Sequence, residues 1–291
     1  MTGTHLSERF GMTISEIEDS GVRIDSKIHI RTETGTASDI ANNQADAVVK
    51  FTQLFEQTKY DAICILGDRY EMQMVAIAAT NTATPIIHLC GGDTTEGAVD
   101  ESIRHSITKM SRFHFVTNEI SRKRVVQLGE EPSTVFNVGS TSIDNVINLN
   151  LLTKAEALQS IGLSPCRYAL CTYHPVTIEP GNIESDVMNF IQALNMYKDL
   201  EYIVTKSNAD KGGEIINELL DNEAIKTPNI HVFSSLGSVR YLSLLKYAEF
   251  VIGNSSSGIV EAPLLGVPTV NIGDRQKGRL QAASIINCGS S

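Results

Sequence analysis

The sequence has no tryptophan, no Cys-x-x-Cys pair and no apolar run approaching the roughly 20 residues that a membrane-spanning helix needs. Its five cysteines, Cys64, Cys90, Cys166, Cys171 and Cys288, are odd in number and scattered, which argues against a disulfide framework and a cysteine zinc site. The opening Met1-Thr2-Gly3-Thr4-His5-Leu6-Ser7 lacks the charged and apolar regions of a signal peptide. A soluble protein of the reducing cytoplasm, with no membrane partner, is expected. Basic residues are also scarce: 24 Lys and Arg face 34 Asp and Glu, and a formal net charge of −10 removes the basic surface on which general nucleic-acid binding depends. An anionic small ligand therefore requires a locally positive pocket. There is neither a low-complexity tract nor a short repeat. The carboxylates are spread without His/Cys ligand spacing, so no metal is expected.

What is present is regular alternation. Short apolar runs recur at 61–66, 85–89, 113–116, 134–138, 168–172, 201–204, 230–233, 250–252 and 269–272. Between them lie helical patterns, such as Ile40, Ala41, Ala45, Val48, Val49 and Phe55. Runs that are apolar throughout fit strands buried on both faces, and their alternation with helices fits parallel sheets. A polar, helix-forming stretch from about Asn148 to Ser164 separates two halves of similar plan. The reading is α/β, with two Rossmann-like domains, 1–149 and 150–291, facing across a cleft.

In such sheets ligands bind beyond the carboxyl ends of the strands. The polar residues there are Gly67-Asp68-Arg69-Tyr70-Glu71, Cys90 to Glu96, Gly139-Ser140-Thr141, Tyr173-His174-Pro175, Lys206 to Asp210, Ser234-Ser235, Asn254 to Gly258 and Gly273 to Arg279. The most informative is Gly253-Asn254-Ser255-Ser256-Ser257-Gly258-Ile259-Val260-Glu261, which follows Phe250-Val251-Ile252. A strand feeding a small-residue turn and then a helix presents N–H groups and hydroxyls at the positive end of a helix dipole, as a phosphate cradle does. Glu261 falls where a ribose diol would lie. The same serines fit ordinary helix caps equally well. Glu101 and His105 share a helical face, compatible with an oriented acid/base pair and also with a surface pair.

Taken in order, Gly67 to Glu71, Gly91-Gly92-Asp93 followed by Asp100 to His105, Val138-Gly139-Ser140, Tyr173-His174-Pro175, Gly253 to Glu261 and Gly273 to Arg279 resemble the UDP-N-acetylglucosamine 2-epimerase family, specifically its hydrolysing branch. The resemblance implies a GT-B-like pair of domains, a UDP-sugar substrate, no redox cofactor and a homodimer. It implies elimination of UDP with loss of the C2 proton, then addition of water with inversion, releasing UDP and N-acetylmannosamine. Such a route needs a positioned base and stabilisation of a leaving phosphate. Asp68, Asp100 and Asp93 are the acid/base candidates, with Arg69 placed to keep Asp68 ionised. His174 is expected to meet the diphosphate or help it leave. Ser255 and Ser256, with Asn254 and Gly258, are expected at the phosphates, Glu261 at the ribose and the Ser235 loop at uracil. Arg275 and Arg279 supply positive charge, and Arg69, Glu101 and His105 complete the substrate-binding set.

The chain departs from the family pattern in three places. Nothing in 1–66 matches the usual first strand with its Gly-rich turn, and Met1 to His5 resembles the end of a second strand; the first βα unit is expected to be missing. The C-terminal helices are likewise expected to be missing, so that a longer version would turn over faster. At Cys90-Gly91-Gly92-Asp93, where many relatives carry a glutamate, a thiol and a displaced aspartate stand instead. That substitution admits another sugar, a UDP-linked 2,4-diacetamido-trideoxy hexose on the route to legionaminic acid. A GT-B glycosyltransferase and a non-catalytic nucleotide-sugar sensor are the competing classes.

Overall fold

The computed structural model describes residues 1–8, 12–32, 36–176, 182–208 and 212–290; Ala209 and Asp210, singled out above, lie outside them. Contacts divide the chain into two units, 1–95 with 99–141, and 96–98 with 142–291. The division falls earlier than residue 150 because helix α6 (Thr141–Asn148) sends Val146 into the core of the second unit.

The first unit runs α1 (Ile14–Asp19), α2 (Ala37–Gln57), β1 (Ile63–Leu66), α3 (Tyr70–Asn81), β2 (Ile86–Leu89), α4 (Asp100–Met110), β3 (Phe113–Val116), α5 (Glu119–Gln127) and β4 (Val135–Asn137). Thr36 and Asp39 close a capping box at the start of α2. Asn43, Ala47, Phe51 and Phe55, four residues apart, form its buried stripe. That stripe joins a core with Ala76, Ala78 and Ala79 of α3, whose small side chains let the helices approach closely. The sheet is parallel in the order β1-β2-β3-β4. Strand β1 is not buried on both faces as its composition suggests: Ile65 enters the core, while Cys64 and Leu66, the latter 56% exposed, point away. It ends the sheet order, with α2 and α3 packed on its Ile65 side. Thr2 makes one parallel bridge to Ile28 and is followed by a 3-10 turn at Gly3–Leu6, where the sequence suggested the end of a strand.

The second unit continues from α6 with α7 (Lys154–Gln159), β5 (Tyr168–Thr172), α8 (Ile183–Asn195), β6 (Glu201–Thr205), α9 (Gly213–Lys226), β7 (Ile230–Phe233), α10 (Gly237–Tyr247), β8 (Val251–Gly253), α11 (Ser257–Leu264), β9 (Thr269–Ile272) and β10 (Ile285–Cys288). All six strands are parallel, ordered β10-β9-β8-β5-β6-β7. Every residue of β5 is buried, as an interior strand covered on both faces requires. Two apolar clusters occupy the two faces of this sheet: Leu170 and Leu244 belong to one, Cys171, Phe190 and Ile216 to the other. Each fully buried aliphatic side chain contributes about 1.5–3 kcal/mol of transfer free energy. At the end of β8, Gly253 has φ 137°, and a Cβ there would stand 1.9 Å from the Thr172 carbonyl oxygen. Only glycine lets β8 deliver the next residues to the end of β5.

Candidate active site

In the first unit the site is organised around Asp68, in the turn between β1 and α3. Its partner is Arg104 on α4, a side chain 2% exposed. Arg104 Nε donates to Asp68 Oδ2 at 2.9 Å, and Nη2 reaches the same oxygen. The remaining N–H groups reach the Asp93 carbonyl, 2.7 Å from Nη1, and Thr95 Oγ1, 2.8 Å from Nη2. A planar guanidinium thus ties three acceptors on two loops, which a lysine could not do with the same fork. Among the described residues Asp68 Oδ1 has no hydrogen-bond partner. Arg69, expected beside Asp68, forks onto Glu71 at 3.2 and 3.3 Å.

The three other carboxylates play distinct parts. Asp100 is half-buried at the head of α4. Glu101, one residue on, accepts the Thr95 N–H at 2.6 Å through Oε2, and its Oε1 lies 3.8 Å from His105 Nε2. The helical-face pairing is therefore present, but at a separation too long for a direct hydrogen bond. Burial pushes His105 below its ordinary value against the pull of Glu101, and its Nδ1 has no partner among the described residues. Asp93 turns its carboxylate to Ser121 (2.6 Å) and Thr117 (3.3 Å) at the N-terminus of α5, where a helix dipole favours an anion. Cys90 adopts φ +64° and places Sγ 3.8 Å from Thr141 Oγ1. Burial above all pushes its thiol up, with Asp93 and Asp68 adding to the effect. Among the described residues no group of three His, Cys, Asp or Glu side chains gathers as a metal site needs.

In the second unit, His174 follows β5, and its peptide is gripped from both sides. Its N–H donates to Asn254 Oδ1 at 2.7 Å, and Asn254 Nδ2 donates back to its carbonyl at 2.8 Å. Asn254, 1% exposed, therefore spends its side chain on bracing. The Asn208 N–H donates to His174 Nδ1 at 3.3 Å, with Ser207 Oγ also at 3.3 Å. A backbone N–H can only donate, so Nδ1 carries the lone pair and the neutral ring holds its proton on Nε2. That tautomer is a donor toward an anion. Gln276 Nε2, at 2.7 Å, and Arg275 Nη1, at 3.4 Å, both donate to the Asn254 carbonyl and fix the turn.

Beyond Asn254, Ser255 Oγ accepts the Ser257 N–H at 3.3 Å, a weak cap on α11, while exposed Ser256 makes no capping bond. Gly258 serves packing: a Cβ there would stand 2.8 Å from Thr269 Cγ2, and Thr269 Oγ1 donates to its carbonyl at 2.8 Å. Burial raises the Glu261 carboxyl, opposed by the Ser142 and Ser257 hydroxyls and by Arg279, and Oε2 has no hydrogen-bond partner among the described residues. A carboxylate oxygen so placed accepts from hydroxyls. Exposed Ser235 accepts the Gly237 N–H at 3.3 Å at the start of α10. A cavity of about 870 Å³ opens in this unit near Tyr173, Asn271, Asp274, Lys277 and Arg279, and neither the serine turn nor Glu261 lines it. Sequence reasoning missed Arg104 and Gln276 as site-forming residues. The signal for Arg104 was its place on one α4 face with Ile107 and Thr108, a face otherwise buried.

A family model described as UDP-N-acetylglucosamine 2-epimerase matches residues 1–291. The chain is 44% identical over 288 residues to "GDP/UDP-N,N'-diacetylbacillosamine 2-epimerase (hydrolyzing)" of Campylobacter jejuni, covering 98% of this chain and 75% of that protein. It is 39% identical to "Polysialic acid biosynthesis protein P7" of Escherichia coli, with 99% and 73% covered. Among solved structures, that of the Methanocaldococcus jannaschii UDP-GlcNAc 2-epimerase in complex with UDP-GlcNAc and UDP is similar in fold, with a TM-score of 0.78 at 18% identity, over 94% of this chain and 76% of that one.

Proposed function

The chain belongs to the UDP-N-acetylglucosamine 2-epimerase family, and from that premise we propose that it is a hydrolysing 2-epimerase of a UDP-linked 2-acetamido sugar. The observation that carries the reading is the Asp68–Arg104 pair: a carboxylate held through Oδ2, with Oδ1 meeting no hydrogen-bond donor among the described residues. Asp68 and Asp100 serve as the acid/base groups. The C2–H bond breaks as a carboxylate takes the proton, the C1–O bond breaks as UDP leaves with its electron pair, and a C1–C2 double bond forms. Water then adds its hydroxyl at C1 and a proton returns to C2 on the opposite face. The products are UDP and the 2-epimer. Carboxylates suit both proton steps when their surroundings set their affinities apart.

The second unit supplies the nucleotide contacts. His174, with its proton on Nε2, donates to the diphosphate, the N-terminus of α11 adds its dipole, and Glu261 accepts from the ribose hydroxyls. Asn254 and Gly258 are better assigned to holding this turn than to touching the ligand.

The sugar we favour is the 2,4-diacetamido-trideoxy hexose, on the 44% identity to the Campylobacter protein and on the Cys90-Gly91-Gly92-Asp93 segment, where a thiol pushed up by burial and a displaced aspartate stand in the stretch that carries a glutamate in many relatives. UDP-N-acetylglucosamine is the second reading, in line with the description of the family model that matches the chain. A proton NMR time course in deuterated buffer, run with each UDP-sugar separately, decides between them. We expect UDP release with deuterium at C2 of the product, faster for the diacetamido substrate. Release without C2 exchange from either sugar would end the proposal.

A further inference from the structure

Behind Asp68 lies a buried histidine that the reaction itself does not use. His88, on β2, is fully buried. Its Nε2 lies 3.2 Å from the Gly67 carbonyl oxygen, the peptide immediately before Asp68. Its Nδ1 lies 3.2 Å from Thr108 Oγ1 on α4, and Thr108 Oγ1 is also 3.0 Å from the Arg104 carbonyl, one helical turn back. A carbonyl only accepts, so Nε2 carries the hydrogen. Burial drives the ring down to about 4, so it is neutral at pH 7 and Nδ1 is bare. Thr108 then shares its single proton between Nδ1 and the Arg104 carbonyl. The titratable or charged groups facing the ring are His114 on β3, Asp68 beyond β1 and Arg104 on α4.

We propose that His88 is a positioning residue for Asp68: it ties the Gly67 peptide on one side to Thr108 on the other, and thereby fixes the spacing of the Asp68–Arg104 pair. Two further observations point the same way. Gly67 sits at φ +86° with nothing within 4 Å of where its side chain would be, so packing does not hold the turn. Its anchors are the His88 bond and a 3.4 Å bond from its own N–H to the Leu89 carbonyl. On the other side Gly91 closes over the His88–Thr108 contact: a Cβ there would stand 2.9 Å from His88 Nδ1 and 3.0 Å from Thr108 Oγ1. The link is therefore sealed, and the relay runs from β2 to both partners of the ion pair.

The claim rests on the proposed 2-epimerase reaction only for its kinetic consequence, and its test uses the full chain. His88→Gln keeps an N–H able to reach the Gly67 carbonyl, whereas His88→Leu removes both links. We expect His88→Leu to lower kcat for C2 exchange by roughly tenfold or more with KM and UDP affinity within about twofold, and His88→Gln to recover most of that loss, because misplacing a reacting group costs rate before it costs binding. Equal losses in the two variants, or a loss carried by KM, overturn the proposal. A second readout needs no turnover: the Arg104 Nε–H resonance should be sharp in the parent protein and in His88→Gln and broadened by exchange in His88→Leu, and a sharp signal in all three overturns it. If His88→Leu does not fold, the near-isosteric Thr108→Val decides, with broadening of that resonance expected and an unchanged signal counting against. A parent chain that exchanges C2 in no UDP-sugar sinks the reaction alone, and the resonance still judges His88.

Discussion

Arg104 gathers Asp68 from one loop and Asp93 and Thr95 from another, and each loses a partner when the guanidinium goes. Arg104→Met should cost about 3 kcal/mol, since removing one partner strands the other charge, and Arg104→Lys should retain charge but not the fork. Urea titration measures the first, and a larger stability loss for Met than for Lys with activity lost in both is the expected pattern. His88 gives a separate pH signature. Its folded value is lowered from 6.5 to about 4, so the unfolded chain takes up its proton first as pH falls. Stability is therefore full above pH 6.5 and declines toward pH 4, by at most about 1.4 kcal/mol per pH unit. Burial shifts His105 and His114 in the same direction. Unfolding curves at about pH 7 and about pH 4.5 should show a smaller acid loss in His88→Gln than in the parent, and identical losses would assign the effect to other groups, the two histidines or the carboxylates of Asp46, Glu156 and Glu223 whose values are lowered. At this scale the sequence exposed Asp68 and His174, because polar residues after apolar runs stand out. It hid Arg104, whose charge reads as solvent-facing until Ile107 and Thr108 show that the face is buried.

Elements were legible wherever composition was decisive. The runs at 113–116, 168–172, 230–233 and 269–272 coincide with strands residue for residue, because short apolar stretches between helical patterns have few other uses. Strand β10 was not legible: Ile285 and Ile286 are followed by Asn287 and Cys288, and pairing with β9, not hydrophobicity, makes it a strand. Nor could periodicity show that β8 must pass against β5. Gly253→Ala tests that contact. With φ 137° and a Cβ 1.9 Å from the Thr172 oxygen, the variant must displace one strand, and we expect loss of more than about 3 kcal/mol or insoluble protein. Native-like melting of Gly253→Ala would show that the sheet yields there. Asn254→Ala should spare the strands but leave both His174 backbone groups without their side-chain partner, which calorimetric titration should register as weakened UDP binding.

For the whole molecule, a net charge of −10 gives no general attraction to a nucleoside diphosphate, so affinity has to come from local donors. UDP at about 100 times its dissociation constant should stabilise the protein by about 2.7 kcal/mol. The accompanying slowing of amide exchange is expected at 254–261, and protection confined elsewhere would count against the assignment of that turn. No described helix is long and apolar enough to cross a membrane. The six-stranded sheet also sets an order of events. Strand β5 pairs with β8, and His174 is locked by Asn254, 80 residues later in the chain. Closing so long a loop is slow. During synthesis His174 emerges well before the residue that holds it, so the nascent second unit passes through a stage with its central strand made and the proposed anion grip still open. Refolding should accordingly restore secondary structure ahead of ligand capture.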